Sequence, residues 1–241
     1  MWVETQPQTA VRPPGPRVEV RGTVAAAACA AATYIAREIR LASENAPRVN
    51  VAFSGGRTPE TMLRQLALHD VPWKRVHAFQ VDERLVAIDD PRRNAHQLRD
   101  TLGRLLGDRL HLIAAVAEDD PSEVARLASL TLRAFLGEDG AFDIVHLGLG
   151  DDGHTASLVP GDGSLTVTDH AYAPTGLYQG ARRVTLTYPV LRRASLVCWL
   201  ATGASKAPMA TRLLARDPSI PAGLLATVPG VLFTDGAGAP L

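Results

Sequence analysis

The sequence has few cysteines, no net charge and no long apolar run, and each shortage excludes a class of protein. Its two cysteines, Cys29 and Cys198, lie in apolar stretches without a Cys/His ligand spacing, so we expect small buried side chains rather than disulfides or a zinc site. The 25 basic residues balance the 25 acidic ones, which leaves no global field for nucleic acid or an anionic membrane. No run of about 18 uncharged apolar residues exists, so we expect no segment that spans a bilayer.

The N-terminal residues predict a tail ahead of one folded domain. Residues 1–16 are polar and rich in proline, and we expect them to be disordered, with a single α/β domain over residues 17–241. They lack the basic segment and apolar core of a signal peptide, so a reducing, cytoplasmic location is expected. The sequence does not determine the oligomeric state, for which we expect a monomer or a weak homodimer.

Apolar segments alternate with helical ones along the chain, which indicates a mainly parallel central sheet with helices on both faces, a Rossmann-like α/β fold. Ligands bind beyond the carboxyl ends of the strands in such sheets. That rule directs attention to three loops, at 54–58, 82–94 and 148–160. Strands are predicted at 17–21, 49–53, 76–81, 110–113, 142–150, 184–191, 195–202 and 230–235, and helices at 22–45, from 58 onward, at 95–106, 122–136 and 205–215.

The first loop, SGGRTP (54–59), has the composition of a phosphate site. Gly55 and Gly56 let the backbone approach a ligand closely, and the helix that follows presents N–H groups and a partial positive charge. We predict that Thr58 caps this helix, and Arg57 adds a full charge. An ordinary strand-to-helix turn is the alternative, and the spacing is not that of a Walker A loop.

The second loop begins with VDERL after an apolar strand. Strand alternation places Asp82 and Arg84 on one side and Glu83 on the other. A carboxylate beside a guanidinium can bind hydroxyls and phosphate together. A solvated surface turn is the alternative for three charges at such a position.

The third loop contains a G-x-G-x-x-G pattern, at Gly148, Gly150 and Gly153, that resembles a dinucleotide site. Two features argue against a nucleotide. Asp151 and Asp152 would crowd a pyrophosphate with negative charge, and a proline–glycine break follows too soon for the helix that should hold the phosphates.

The same loop places a histidine two residues after an acid on a tight glycine turn. A neutral His154 can take a proton from water near neutral pH, and Asp152 can orient it and stabilise the imidazolium. A structural histidine is the alternative. Lys206, at the start of a late helix, is a candidate phosphate partner. The other histidines lack such a setting and are interpreted as structural: His69, His77, His96, His111, His146 and His170.

Five segments in this order resemble 6-phosphogluconolactonases, within the glucosamine-6-phosphate deaminase and ribose-5-phosphate isomerase (NagB/RpiA-like) fold group. They are SGGRTP, VDERL, GLGDDGHTASL, RVTLTYPVL and the G-x-x-K of Gly203 to Lys206, and the resemblance runs from Arg17 to Asp235. It implies hydrolysis of 6-phospho-D-glucono-1,5-lactone to 6-phospho-D-gluconate in the oxidative pentose phosphate pathway. It also implies that no organic cofactor is needed, and the sequence shows no metal site.

By resemblance, His154 is the general base that activates water, with Asp152 beside it, and the turn at Gly150 and Gly153 supplies backbone N–H groups to the oxyanion. Many members have serine where this chain has Arg57 and Arg93, and both changes add positive charge near the expected phosphate. The resemblance implies that substrate and phosphate are bound by Ser54, Gly55, Gly56, Thr58, Asp82, Arg84 and Lys206, and Arg57 joins the candidates through its charge in the first loop.

Two rival functions use the same scaffold or the same ligand. Aminosugar-phosphate deaminases and aldose–ketose isomerases are the first; the deaminase motif continues DGHIAFNEP, with a catalytic glutamate where this chain has Val159. Ring opening and amine release would lack that carboxylate, whereas hydrolysis needs only an activated water and a polarised carbonyl. A non-catalytic sugar-phosphate sensor is the second rival, against which His154 argues.

Overall fold

A computed structural model describes residues 15–241, so residues 1–14 of the predicted tail lie outside it. Its strands are β1 (Arg17–Arg21), β2 (Val49–Phe53), β3 (Val76–Gln80), β4 (Asp82–Leu85), β5 (Leu110–His111), β6 (Ile144–Leu147), β7 (Tyr172–Pro174), β8 (Arg182–Leu186), β9 (Leu196–Leu200) and β10 (Gly230–Asp235). Seven of them form a sheet in the order β1-β10-β9-β6-β2-β3-β5, in which every neighbouring pair is parallel.

Six α-helices are present in the described residues: α1 (Val24–Asn45), α2 (Arg57–Leu66), α3 (Asn94–Leu106), α4 (Pro121–Leu136), α5 (Tyr188–Arg192) and α6 (Ala207–Leu214). The alanine-rich α1 begins where the Thr23 hydroxyl accepts a hydrogen bond from the Ala26 backbone N–H at 3.1 Å, an N-cap that satisfies one of the helix's free donors. None of the helices in this part of the chain is long and apolar enough to cross a membrane.

Helices cover both faces of the parallel sheet. Successive side chains of a strand point to opposite faces, so each strand contributes to two cores. Val51 and Phe53 join a core with α1, α2 and α3, whereas Ala52 between them joins a second core with α4, α5 and α6. The inner strands are therefore mostly apolar, as expected for a sheet buried on both sides, whereas the edge strand β1 (RVEVR) alternates. The prediction of a mainly parallel sheet with helices on both faces is confirmed.

A second, three-stranded sheet in the order β4-β8-β7 was not predicted. Its strands are antiparallel, and β4 begins directly after the end of β3, so the segment predicted as the start of a loop is a strand. The two sheets are joined there, since the Leu186 N–H donates to the Val81 carbonyl at 2.8 Å and the Tyr172 hydroxyl donates to the Gln80 carbonyl at 2.6 Å. Charged residues at a surface turn and in such a strand look alike in sequence.

Two local predictions are wrong. The segment 184–191, predicted as one strand, ends as a strand at Leu186 and continues as α5, which has Pro189 in its first turn. Thr58 is not the cap of α2, because the helix already starts at Arg57, after Gly56 with a φ of 128°. The strands predicted at 110–113 and 142–150 are shorter, with two and four residues, and the late helix has a 3₁₀ turn, Ala204–Lys206, before α6.

Candidate active site

The carboxyl ends of β2, β6 and β9 are neighbours in the sheet, and the loops that follow them enclose a cleft of about 420 Å³. This is where ligands bind in open parallel sheets. Gly56, Asp152 and Gly153 do not line it. The predicted residues that do are Ser54, Gly55, Arg57, Thr58, Asp82, Arg84, Gly150, His154 and Lys206.

His154 and Asp152 form a close pair at this cleft. His154 Nδ1 lies 2.6 Å from Asp152 Oδ1, and the His154 backbone N–H donates to the same oxygen at 3.0 Å. Burial acts to raise the pKa of Asp152, but the hydrogen bonds from His154 outweigh it and hold the pKa below its ordinary value. An ionised Asp152 accepts a hydrogen bond from Nδ1–H, which leaves Nε2 as the basic nitrogen of the ring.

The glycine turn around His154 is closed by its own hydrogen bonds. The Gly150 N–H donates to the His154 carbonyl at 2.8 Å, and the Gly153 N–H donates to the Gly150 carbonyl at 3.1 Å. Both N–H groups therefore donate within the turn, and their role at an oxyanion stays a prediction. A side chain at Gly150 would place its Cβ 2.0 Å from His154 Nδ1, so glycine is required for the ring to lie where it does.

Asp82 and Arg84 face the cleft and Glu83 faces away, as strand alternation predicts. Asp82 Oδ2 accepts from the Ser157 hydroxyl at 2.5 Å, and Arg84 donates to the Asn94 side-chain oxygen at 2.9 Å. The fully buried Glu83 accepts from the backbone N–H groups at the start of α3, at 2.9 and 2.8 Å. One member of the charged triplet therefore anchors a helix while the other two face the cleft.

The SGGRTP loop and Lys206 approach each other across the cleft. The Thr58 and Thr202 hydroxyl oxygens lie 3.2 Å apart, and Lys206 Nζ lies 2.7 Å from Asp151 Oδ1. The hydrogen bond from Lys206 lowers the pKa of Asp151, so the carboxylate stays ionised and offsets the ammonium charge. Gly55 is required here for space, because a Cβ would lie 2.0 Å from the Asn94 side-chain oxygen.

Two site residues escaped the sequence predictions. Tyr178 donates its hydroxyl proton to Asp152 Oδ2 at 3.0 Å and lies 3.2 Å from His154 Nδ1. The buried Arg183 stacks over the Tyr178 ring at 5.2 Å and lines the cleft. Arg183 belongs to a quoted motif, but Tyr178 comes from a hairpin between β7 and β8 and carries no local signal.

No cluster of three or more His, Cys, Asp or Glu side chains suited to a metal ion is found in residues 15–241. The chemistry visible in the cleft is instead that of a proton-accepting histidine, hydroxyl-binding carboxylates and several cations. An open parallel sheet with such a cleft at its carboxyl edge is the arrangement typical of α/β enzymes that bind small ligands.

Comparison with known proteins gives the family. The family model described as "Glucosamine-6-phosphate isomerases/6-phosphogluconolactonase" matches residues 22–233. The 6-phosphogluconolactonase of Synechocystis is 39% identical over 65% of this chain and 67% of its own, and that of Nostoc is 35% identical over 70% and 72%. The chain therefore belongs to the 6-phosphogluconolactonase family of enzymes.

Solved structures agree on the fold. A 6-phosphogluconolactonase from Shewanella baltica superposes with a TM-score of 0.81 over 92% of this chain and 98% of its own, at 23% identity. The enzyme from Trypanosoma brucei gives a TM-score of 0.80 over 92% and 97%, at 25% identity. The expected NagB/RpiA-like architecture is confirmed by these neighbours.

Proposed function

We propose that this enzyme hydrolyses 6-phospho-D-glucono-1,5-lactone to 6-phospho-D-gluconate in the pentose phosphate pathway, with His154 as the general base. The observation that carries the proposal is the 2.6 Å contact between His154 Nδ1 and Asp152 at the edge of the cleft. It leaves Nε2 as the basic nitrogen, and Nε2 makes no hydrogen bond to the residues described here. The relatives named above support the substrate.

In the proposed reaction, Nε2 of His154 takes a proton from a water molecule as the water oxygen attacks the lactone carbonyl carbon. A tetrahedral intermediate forms, and the imidazolium is stabilised by Asp152. The bond between that carbon and the ring oxygen then breaks, and the ring oxygen takes the proton from His154. The carboxylic acid that results ionises in water, and the base is restored.

The substrate's phosphate is proposed to lie against the SGGRTP loop, with Arg84 and Lys206 as charged partners. All three line the cleft, and α2 directs its N-terminus at this loop. The Lys206–Asp151 ion pair makes Arg84 the stronger candidate, because within residues 15–241 the Arg84 guanidinium donates only to uncharged acceptors, the carbonyl of Arg92 and the amide of Asn94. Asp82, buried between strands, is proposed to accept a hydrogen bond from a ring hydroxyl.

The sequence lacks the carboxylate that the rival deaminase and isomerase chemistry needs for proton transfer. Val159 stands where the deaminase motif has its glutamate, five residues after His154. The neighbouring Ser157 is fully buried and donates to Asp82, so it holds a binding residue in place rather than moving a proton. Hydrolysis needs no further acid.

The test is acid release from freshly prepared lactone by wild type, His154→Ala and His170→Ala. His170 is a matched control, since it also contacts an aspartate, Asp169, at 2.9 Å but lies outside the cleft. General base catalysis is worth about 100- to 10,000-fold, so His154→Ala should fall toward the spontaneous rate while His170→Ala keeps wild-type activity. A wild type no faster than the enzyme-free blank contradicts the proposal and favours a sensor.

A second measurement isolates the phosphate. Unphosphorylated gluconolactone should be a much poorer substrate, because the cations of the cleft gain a partner only from the phosphate. Equal turnover of the two lactones would remove the phosphate assignment and leave hydrolysis intact.

A further inference from the structure

A second cleft, of about 300 Å³, lies beside the active-site cleft. The two share part of their walls, including Arg57, Arg84 and Arg183, while Arg92 and Arg93 line the second cleft alone. We call it the arginine cleft, after its five arginines: Arg57, Arg84, Arg92, Arg93 and Arg183.

The positive charge of the arginine cleft is mostly not neutralised by side chains of residues 15–241. Arg92 is paired with Asp90, at 2.6 Å. Arg84 donates to a backbone carbonyl and an amide oxygen, neither of them charged. Glu60, the one acidic residue among residues 15–241 that lines the cleft, is paired with Arg64 at 2.7 Å. Four guanidinium groups therefore have no carboxylate within 4.0 Å in the described structure.

Two of these four guanidinium groups are also buried. Arg93 is 4% exposed, and its Nε and Nη1 have no hydrogen-bond partner in residues 15–241. Arg183 is likewise 4% exposed, and its Nε has no partner in the same part of the chain. Burial of a charged donor without a partner is strongly unfavourable, and an ion that completes its hydrogen bonds relieves that cost. Because Arg93 does not line the active-site cleft, a ligand confined to that cleft cannot accept hydrogen bonds from Arg93.

We propose that the arginine cleft binds a small tetrahedral oxyanion of the phosphate type, separate from the phosphate of the substrate. The planar guanidinium presents parallel N–H donors that match two oxygens of such an anion. Arg93 supplies the buried donors, and the exposed Arg57 closes the rim. Gln97, whose amide both donates to and accepts from the Gly56 backbone, at 2.6 and 2.9 Å, fixes the loop between them.

The shared arginines couple the two clefts. An anion in the arginine cleft that accepts hydrogen bonds from Arg84 and Arg183 leaves fewer N–H donors for an anion in the active-site cleft. The two anions also repel each other, since their charges have the same sign. Occupation of the arginine cleft should therefore weaken, but not abolish, binding of a phosphorylated ligand in the active site. Linkage makes the effect reciprocal.

The first experiment is a calorimetric titration of the whole protein with inorganic phosphate, in a buffer free of other oxyanions. Arg93→Gln should bind phosphate about tenfold or more weakly than wild type, as expected for loss of a charged hydrogen-bond donor. Arg104→Gln, an exposed position at the other end of α3, is the matched control and should bind as wild type does. Arg57→Gln should also weaken phosphate binding. Because Arg57 is exposed on the rim, this substitution should leave the packing of the core unchanged. Equal phosphate affinity in all four proteins overturns the proposal.

The second experiment separates two sites from one. Inorganic phosphate is titrated into protein whose active site is saturated with 6-phosphogluconate. Two coupled sites predict that phosphate still binds, more weakly than to the free protein and still more weakly in Arg93→Gln, whereas no binding under this condition means a single shared site and overturns the proposal. Neither titration requires turnover. The comparison of Arg93→Gln with Arg104→Gln therefore decides the inference even if the lactone is not hydrolysed.

Discussion

The glycine turn at 148–158 and the arginine cleft lie side by side and treat charge in opposite ways. In the turn, Asp152 is bonded to His154 and Tyr178, and Asp151 is bonded to Lys206. In the arginine cleft, most guanidinium groups have no charged partner in the described residues. The paired aspartates of the turn hold the reactive Nε2 of His154 in place. The unpaired guanidinium groups of the arginine cleft are available to bind an anion. The predictions below test that contrast.

The largest effect is expected for Asp152→Asn. The amide no longer requires a proton on Nδ1, so the tautomer with a basic Nε2 is lost, and kcat should fall by about 100- to 10,000-fold. Asp151→Asn is the matched change one residue earlier. It loosens Lys206 and should act mainly on KM, by a smaller factor. Steady-state kinetics on fresh lactone separate the two, and equal losses of kcat would show that the turn does not distinguish its aspartates.

The next effect is expected for Gly150→Ala. The added Cβ meets His154 Nδ1, so the ring has to move, and a shift of about 1 Å can cost about 100-fold in rate. Gly163→Ala, where a Cβ meets nothing within 4 Å, is the control. Rates and thermal unfolding are measured for both variants. A Gly150→Ala enzyme with wild-type kcat would mean that the His154 position is not set by the turn.

On the other side of the contrast, Arg84→Gln should raise KM for the phosphorylated lactone by about tenfold and change kcat less, since one charged hydrogen bond to the substrate is lost. The unphosphorylated lactone should be affected little, so the preference between the two substrates narrows. If both substrates lose equally, Arg84 supports the wall of the cleft and does not bind the phosphate.

The smallest effect is expected for Tyr178→Phe, the residue that touches both regions. Burial and the hydrogen bond to Asp152 raise the pKa of Tyr178, so its hydroxyl remains a donor at neutral pH. Loss of the hydrogen bond from Tyr178 to Asp152 should lower kcat about two- to tenfold and leave KM unchanged. Because Asp152 would lose a donor, the pH–rate profile should also move, which a merely structural tyrosine would not cause.

The parallel sheet was readable in sequence because its signals are local. The mostly apolar runs at 49–53 and 230–235 coincide with β2 and β10, since a strand buried on both faces is rich in apolar residues. The antiparallel sheet was missed, because β4 is charged and its partner β8 lies about 100 residues further on. Pairing at that distance leaves no mark in the segment itself.

The site residues also divide into those brought together by local sequence and those brought together by long-range pairing. Asp152, Gly150 and His154 lie within five residues, so one turn brings them together and the sequence alone was enough to predict their contact. Tyr178 reaches Asp152, and Arg183 reaches the cleft, only through the hairpin of the second sheet; Arg183 lies in the RVTLTYPVL motif, but nothing local to Tyr178 predicted its contact.

The sequence by itself determined the fold class, the parallel order of loops at one edge and the histidine–aspartate pair, because each depends on neighbours along the chain. Only the tertiary structure decided that the Gly150 and Gly153 N–H groups donate within the turn and that Lys206 is paired with Asp151. It also decided that Arg93 is buried without a partner among residues 15–241. Those outcomes depend on which groups meet across the cleft, and hydrogen bonding and charge are settled by proximity in space.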